Sequence, residues 1–236
     1  MRTSLIIIFI FSFIISKAFA NKIQILHTND IHSHLEHTTH QPEIGGYARL
    51  KSLIQEKKDW ALENNIETIA MDAGDYLEGN MFYMADWGKK SYQVHGEAGF
   101  DVSVIGNHDY LMGERDLDAL LRDVDTSFQL LGANLHVPER YENINEKIKP
   151  YIEMEVNGVK IGIIGITIND ILYKWRLSES KISNEIKSAR KYARILKNRG
   201  NDLVIALTHI GLKKDKKLAK KVPEIDLIVG GHSHDA

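Results

Sequence analysis

The sequence predicts an α/β fold, a layered α/β/β/α sandwich in which helices cover the outer faces of two sheets. Apolar stretches of strand length alternate along the chain with longer stretches of helical periodicity. One pair of predicted strands, residues 151–156 and 159–166, flanks Asn157-Gly158, a dipeptide typical of a tight hairpin. Strand–helix alternation combined with an antiparallel hairpin favours two layered sheets over one doubly wound sheet.

The other predicted strands share one property, which is that a polar cluster follows each of them directly. These strands span residues 22–27, 67–71, 102–105, 203–207 and 227–229. Helical periodicity predicts helices at residues 46–64, 113–125 and 182–199. A lysine-rich run at residues 213–221 is typical of the exposed face of a further helix.

Residues 1–20 have the composition of a secretory signal peptide. Arg2 gives the positive start, residues 5–15 form an apolar core, and Ala18-Phe19-Ala20 is a small-x-small cleavage site. The apolar core is shorter than the roughly 20 residues that a membrane-spanning helix needs. We therefore expect cleavage after Ala20, an exported protein that is periplasmic or secreted, and no stable membrane anchor after cleavage.

The remaining residues, 21–236, contain no linker, low-complexity tract or repeat and predict one domain. The chain has no cysteine, so packing and bound metal rather than disulfides must stabilise an exported protein. A formal net charge of −2 argues against a nucleic-acid surface. None of these features predicts the oligomeric state.

The polar clusters consist of residue types that bind divalent metal ions. They are Asp30-Ile31-His32, Gly74-Asp75, Gly106-Asn107-His108-Asp109, Thr208-His209 and Gly231-His232-Ser233-His234. Carboxyl ends of neighbouring strands lie together in an α/β sheet, so residues far apart in sequence can share one site. One residue separates Asp30 from His32, and one separates His232 from His234. Alternate residues of an extended chain point to the same side, so we expect the two side chains of each pair to project together. The sequence thus predicts two cations about 3.5–4 Å apart, an arrangement that activates water for hydrolysis.

These clusters, in this order, resemble the calcineurin-like metallophosphoesterase superfamily. Residues 28–32, Thr-Asn-Asp-Ile-His, and residues 45–49, Gly-Gly-Tyr-Ala-Arg, are similar to its secreted 5′-nucleotidase and UDP-sugar hydrolase branch. The resemblance covers essentially all of residues 21–236 and implies a metallophosphoesterase catalytic domain with the sandwich fold predicted above.

The resemblance also implies two divalent metal ions and assigns seven ligands to them. The first metal would be bound by Asp30, His32 and His234, the second by Asn107, His209 and His232, and both by the bridging Asp75. Mixed nitrogen and oxygen ligands suit Mn, Zn, Fe or Co about equally, so the sequence does not identify the metal.

His108 is not assigned as a ligand of either metal. The resemblance implies that it stabilises phosphoryl charge or protonates the leaving group. The nucleotidase branch usually carries an acid three residues beyond this histidine, where this chain has Leu111. Glu78 resembles the position from which Ser/Thr protein phosphatases of the superfamily orient their histidine. Asp109 is the other candidate for this orienting role.

The expected reaction is hydrolysis of a small-molecule phosphate ester, with a nucleotide as the expected substrate, by a metal-bridging hydroxide assisted by His108. In the resembled branch the nucleobase is bound mainly by a C-terminal domain. Because His234 lies so near the end of this sequence, we expect the C-terminal strands and any such nucleotide-binding domain to be absent. Two alternatives stay open: a sulfur-compound hydrolase of the thiosulfohydrolase type, and a truncated metal-binding pseudoenzyme.

Other histidines and several aromatic residues have ordinary explanations. His34, His37 and His40 are expected in a solvated loop near the site, and His95 is expected to be structural. Aromatic residues that could stack on a nucleobase, with packing as the ordinary alternative for each, are Tyr76, Phe82, Tyr83, Trp87, Tyr110, Tyr173 and Trp175.

Overall fold

The computed structural model describes residues 22–37, 43–125 and 127–235. The predicted signal peptide and His40 lie outside the described residues. The described strands are β1 (Ile23–Thr28), β2 (Glu67–Asp72), β3 (Val102–Val104), β4 (Gln129–Leu131), β5 (Leu135–His136), β6 (Ile148–Lys149), β7 (Tyr151–Val156), β8 (Val159–Thr167), β9 (Lys181–Ile182), β10 (Leu203–His209) and β11 (Leu227–Gly230). The described helices are α1 (Tyr47–Glu63), α2 (Met81–Asp86), α3 (Lys89–Glu97), α4 (Glu114–Asp123), α5 (Glu142–Lys147), α6 (Ile171–Lys174), α7 (Glu185–Asn198) and α8 (Leu212–Lys221). Within these ranges, no helix combines the length and apolarity needed to cross a bilayer.

The first sheet contains five parallel strands in the order β1-β2-β3-β4-β6. Helices α1, α3 and α4 pack on its outer face through one apolar cluster. On α4, the apolar stripe is formed by Leu117, Leu120 and Leu121, whose spacing places them on one side of the helix. Acidic residues in the first turn of α4 favour its start through the helix dipole.

The second sheet has the order β11-β10-β8-β7, and only the β7–β8 pair in it is antiparallel. Asn157 and Gly158 join β7 to β8 with φ angles of 49° and 73°, as a tight hairpin of the favoured hand requires. The hairpin prediction is therefore confirmed. Helices α7 and α8 cover the outer face of this sheet.

A dry apolar layer joins the inner faces of the two sheets. Ile69, Met71 and Val104 from the first sheet are in one buried cluster with Ile163 and Leu207 from the second. With helices on both outer faces, this arrangement confirms the predicted α/β/β/α sandwich.

The differences from prediction concern short elements. The predicted strands and long helices are present, and their ends differ from the predicted ones by at most three residues. Helices α2 and α6, of six and four residues, were not predicted because they are too short to show a helical period. Both lie in loops near the carboxyl ends of the strands.

Candidate metal centre

The carboxyl ends of β1, β2, β3, β10 and β11 meet at one edge of the sandwich, and the predicted site residues lie there. The backbone N–H of His232 donates to Asp30 Oδ2 at 2.9 Å, although 202 positions separate the two residues. Ring centroids of His32 and His108 are 4.8 Å apart, and those of His209 and His232 are 5.1 Å apart. The two sheets together therefore assemble one polar cluster.

The loops that carry these residues are not extended, so the reasoning from alternate residues of an extended chain was wrong. Backbone φ angles between 49° and 83° place the predicted ligands Asp30, His32, Asp75, His232 and His234 in left-handed conformations. Main-chain bonds hold the first two loops together: Asp30 N–H donates to Gly74 O at 2.9 Å, and His32 N–H to Asp75 O at 2.8 Å. Such conformations cost energy in residues other than glycine and cluster at functional sites.

Asp30 presents a buried oxygen that has no hydrogen-bond partner among the described residues. This atom is Oδ1, since Oδ2 accepts the N–H of His232. The Nε2 atom of His234 lies 3.4 Å from Oδ1, and those of His32 and His209 lie 4.0 Å from it. A buried carboxylate oxygen without a partner is unfavourable in itself, and a cation among these nitrogens removes that cost.

Asp75 lies at the centre of the cluster. Its Oδ2 atom is 3.0 Å from His209 Nε2, 3.9 Å from His32 Nε2 and 4.0 Å from His108 Nε2. Its Oδ1 atom accepts the backbone N–H of His108 at 2.8 Å. A side chain at Gly106 would collide with this carboxylate, because a Cβ there would lie 2.1 Å from Oδ1.

Three groups of carboxylates and imidazoles in the described residues have ligand atoms within 4.8 Å of one another. They are Asp30 with His32 and His234, Asp75 with His209 and His232, and His32 with Asp75 and His108. The first two groups contain six of the seven predicted ligands, and the seventh, Asn107, has its Oδ1 3.2 Å from His209 Nε2. The third includes His108, for which the absence of a metal stays a prediction.

His209 is held in one orientation by its own hydrogen bonds. Its Nδ1–H donates to the carbonyl of Ala73 at 2.7 Å, which leaves Nε2 facing the cluster. Nε2 lies 3.2 Å from Asn107 Oδ1, the amide oxygen that was predicted to bind the same metal. This outer hydrogen bond fixes the tautomer that a metal ligand needs.

The pKa shifts of Asp75 and His209 are those of a carboxylate paired with an imidazolium. Burial alone would raise the pKa of Asp75, but the imidazoles of His209 and His108 lower it below the usual range. Burial also works against a charged His209, yet the carboxylates of Asp75 and Asp30 raise its pKa to about 9. A proton on His209 occupies the place of a cation, so metal binding must release it.

Asp109 joins the loops after β2 and β3. Its buried Oδ2 accepts the N–H groups of Asp75 at 2.9 Å and Gly106 at 2.7 Å, and its Oδ1 accepts that of Leu77 at 2.9 Å. Burial, together with the charge of Asp75, raises the pKa of Asp109 to about 7. The carboxylate thus faces main-chain amides rather than the His108 ring, which does not fit the orienting role suggested for it.

Glu78 takes the position next to His108 instead. Its Oε2 accepts the Nδ1–H of His108 at 2.5 Å, while the other ring nitrogen faces Asp75. About a third of each side chain is exposed, which places this pair at the open side of the cluster. Of the two candidates for orienting His108, Glu78 has the matching geometry.

Two supporting residues were not predicted. Asp72 is fully buried at the end of β2, where it accepts the hydroxyl of Thr28 at 2.6 Å and the N–H of Gly74 at 3.0 Å. Asn80 donates from Nδ2 to the carbonyl of Ser33 at 2.6 Å and caps α2. The aspartate at the end of an apolar strand was a readable signal, whereas nothing around Asn80 distinguishes it from a turn residue.

The aromatic residues that could stack on a nucleobase differ in how deeply they are buried. Tyr76 and Tyr110 are fully buried and are not available to a ligand. Tyr173, on α6, has its ring centroid 5.8 Å from that of His232 and 6.3 Å from that of His108. It therefore borders the cluster.

Histidines outside the cluster have the expected settings. His95 is fully buried, with its ring nitrogens 3.0 Å from Tyr47 Oη and 2.9 Å from Ser103 Oγ. Burial lowers the pKa of His95 to about 3, as a neutral structural histidine requires. His34 is exposed on the loop after β1.

A family model described as calcineurin-like phosphoesterase matches residues 23–236 of this chain. The chain belongs to that family. The predicted superfamily is therefore confirmed.

Several relatives that this chain resembles are named 5′-nucleotidases. It is 32% identical to a 5′-nucleotidase of Diplobatis ommata, with 94% of this chain and 39% of the relative aligned. It is 31% identical to a snake venom 5′-nucleotidase of Gloydius brevicauda, covering 90% and 37% of the two chains. The solved structure of Haemophilus influenzae NAD nucleotidase superposes with a TM-score of 0.78 at 29% identity, over 90% of this chain and 38% of that one. The phosphoesterase thus spans about two fifths of the length of these relatives.

The donor set of the phosphoesterase fits divalent cations on two observations. The unpartnered Asp30 Oδ1 faces three imidazole nitrogens. In the neutral ring of His209, Nε2 is an acceptor that faces another acceptor, Asn107 Oδ1, and a cation bound between them would satisfy both atoms. Imidazole, carboxylate and amide oxygen are ordinary ligands of divalent transition metals.

Proposed function

We propose that this chain hydrolyses phosphate esters at a two-metal centre and that its substrate is a nucleotide. The observation that carries the proposal is the arrangement of ligands around Asp75, with the buried and unpartnered Asp30 Oδ1 beside it. Membership of the phosphoesterase family and the nucleotidase relatives support the same chemistry.

Seven side chains would hold the two metals in this proposal. They are Asp30, His32 and His234 for the first metal, Asn107, His209 and His232 for the second, and Asp75 between them. When bound, the two cations neutralise phosphoryl oxygens and supply a hydroxide nucleophile near neutral pH. Around them, main-chain bonds and the Asp109 carboxylate hold the ligand loops in place.

His108 supplies the proton or the positive charge. Its Nε2 lies 4.0 Å from Asp75 Oδ2, so a phosphoryl group bound at the metals is within its reach. An imidazolium there stabilises negative charge in the transition state or protonates the leaving alkoxide. Glu78 fixes the orientation of the ring through Nδ1.

Tyr173 supports a substrate with an aromatic group. Its ring borders both His232 and His108 at the open side of the cluster, and it is only partly buried. A nucleobase beside a metal-bound phosphate can stack on such a ring. The nucleotidase relatives favour the same class of substrate.

We further propose that residues 21–236 are a catalytic domain of an exported protein. The predicted signal peptide at residues 1–20 supports export, and so does the relative that is a venom protein.

Metal analysis combined with substrate turnover tests the proposed function. The purified protein is loaded with Mn²⁺ or Zn²⁺ and assayed on adenosine monophosphate, on an aryl phosphate and on a sulfur-containing organic substrate. Two equivalents of metal with preferential turnover of the nucleotide support the proposal. Turnover of only the sulfur compound favours the thiosulfohydrolase alternative, and bound metal without any turnover favours the pseudoenzyme.

The first metal should be lost before the second, or together with it, as chelator is added. His234 has a 64% exposed side chain, whereas the His209 side chain of the second site is fully buried. Because a metal that binds only the folded state stabilises it, the melting temperature should rise with added Mn²⁺. Chelator titration followed by metal analysis and thermal melts measures both effects. Loss of the second metal first, or a melting temperature independent of metal, would contradict the assignment.

Glu78→Gln should lower turnover about 10- to 100-fold, the usual effect of removing the outer partner of a site residue. Without the carboxylate the ring of His108 is no longer held in one orientation through Nδ1, so kcat should fall while metal content stays unchanged. Asp109→Asn is the comparison variant. It should lower kcat less and lower the melting temperature instead, because its amide nitrogen cannot accept the N–H of Leu77. The reverse ranking of the two variants would return the orienting role to Asp109.

A further inference from the structure

The basic residues of this chain are concentrated on α7 and α8. These two helices carry eleven Lys and Arg residues against two Asp and Glu residues. The whole sequence has 30 basic and 32 acidic residues, so taking away those eleven and two leaves 19 basic against 30 acidic residues. A chain with a net charge of −2 therefore has one strongly positive side and an acidic remainder.

Helices α7 and α8 lie side by side and run in the same direction. Lys214 near the start of α8 pairs with Glu185 at the start of α7 at 2.8 Å. Further along both helices, Arg190 donates to the carbonyl of Lys221 at 2.8 Å. Their apolar faces pack on the second sheet, so their opposite faces form one continuous surface toward solvent.

Seven exposed lysines on that surface form no ion pair with any carboxylate of the described residues. They are Lys187 and Lys191 on α7 and Lys213, Lys216, Lys217, Lys220 and Lys221 on α8. Spacings of three and four residues place each set on one side of its helix. By contrast, Lys197, Arg194 and Lys214 at the margins are paired with acidic side chains. The positive charge of the seven lysines is therefore not compensated within the described structure.

We propose that these seven lysines, the α7–α8 basic face, dock this protein on a bilayer with anionic headgroups. Attractions between lysines and an anionic bilayer add up, and they act within a Debye length of about 8 Å at physiological salt. The carboxylates of Glu224, Asp226 and Glu185 border the basic face, and they are paired with Arg194, Lys197 and Lys214 respectively. A flat bilayer can therefore approach the seven lysines without first meeting these carboxylates as free charges.

The chemistry of the face favours headgroups over nucleic acid. All seven uncompensated charges are lysines, whereas recognition of nucleic acid draws on the planar fork of arginine. Tyr192 is the one aromatic residue of the two helices, and it is partly buried with Lys191 Nζ 4.8 Å from its ring centroid. The face therefore lacks an open platform on which bases could stack. An array of point charges suits the diffuse negative charge of a bilayer.

Docking through this face leaves the metal centre accessible. Helix α8 starts beside the cluster, where the N–H of Leu212 donates to Ser233 Oγ at 3.1 Å. The cluster lies at the edge of the sheets from which α8 departs, and the lysines face away from the second sheet. A docked protein would thus hold its catalytic edge beside the bilayer, open to dissolved substrate.

Vesicle binding of a charge-neutralised α8 variant tests the proposal. Lys213, Lys216, Lys217 and Lys220 are all changed to Gln, which keeps helix propensity close to that of Lys. Cosedimentation of the full chain is measured with vesicles of phosphatidylcholine alone and with 30% phosphatidylserine. The unchanged protein should bind the anionic vesicles, more weakly at high salt. The variant should bind them roughly 600-fold more weakly, because each of the four lysines contributes about fivefold.

A matched variant separates the basic face from net charge. Exposed Lys51, Lys90, Lys149 and Lys160 lie on other elements, and changing these four to Gln alters the net charge equally while binding should persist. Equal loss in both variants, equal binding to neutral vesicles, or tighter binding to duplex DNA than to anionic vesicles would each overturn the proposal. If the α8 variant fails to fold, the double change Lys187→Gln and Lys191→Gln gives the same test with about a 25-fold expected loss.

Discussion

Replacing Asp75 with Asn is expected to remove both metals and to lower turnover by more than about 10³-fold, beyond the loss for a single charge-stabilising group. The carboxylate lies between the two ligand groups, with Oδ2 3.0 Å from His209 and 3.9 Å from His32. Asn keeps the shape but removes the negative charge that both cations would share. It also places an amide N–H₂ at one of the two oxygen positions, where it cannot bind a metal.

Metal analysis of the purified variant and its turnover of an aryl phosphate measure this effect. Asp116→Asn is the matched control, because Asp116 is exposed on α4 and its replacement removes the same charge. The control should keep its metals and its activity. An Asp75→Asn protein that retained two equivalents of metal and substantial turnover would show that Asp75 does not bridge.

The fold, and the residues that lie together in the cluster, could be predicted from the sequence alone. Strand-forming runs followed by polar residues mark the carboxyl ends of parallel strands, and such ends converge in α/β folds. Asp30, Asp75 and His232 could therefore be placed together without a structure. Their roles as metal ligands remain predictions.

The conformation of the loops could not be read in this way. An extended Asp-x-His and a left-handed turn have the same letters, and main-chain bonds between the first two loops select the turn. The support of His209 is similarly hidden, since its partner is the carbonyl of Ala73, which any residue could provide. Sequence patterns report side chains, whereas these contacts belong to the backbone.

The choice between Glu78 and Asp109 also needed coordinates. Both carboxylates lie within a few positions of a predicted site residue, and distance along the chain does not separate them. In the structure Asp109 is occupied by three main-chain N–H groups, which leaves Glu78 to accept from His108. Burial decides the difference, because a fully buried carboxylate must satisfy its oxygens locally.

Replacing His108 with Ala is expected to leave both metals bound while kcat falls by roughly 10²–10⁴, the range for groups that transfer a proton or stabilise charge. Its Nδ1 is engaged by Glu78, and its Nε2 is 4.0 Å from Asp75 Oδ2. The competing possibility is that His108 is itself a ligand, because its ring also groups with His32 and Asp75. These two roles differ in what the variant retains.

Metal content of the His108→Ala protein separates the two roles. His34→Ala is the matched control, since His34 is exposed on a ligand-bearing loop but lies outside the three ligand groups, and it should keep both metals and near-normal kcat. A second readout uses the leaving group. If His108 protonates the leaving alkoxide, the variant should lose less activity on an aryl phosphate, whose leaving group needs no proton, than on a nucleotide. Loss of one metal equivalent from His108→Ala would instead make His108 a ligand, and Glu78 would then orient a metal-bound imidazole rather than a catalytic acid.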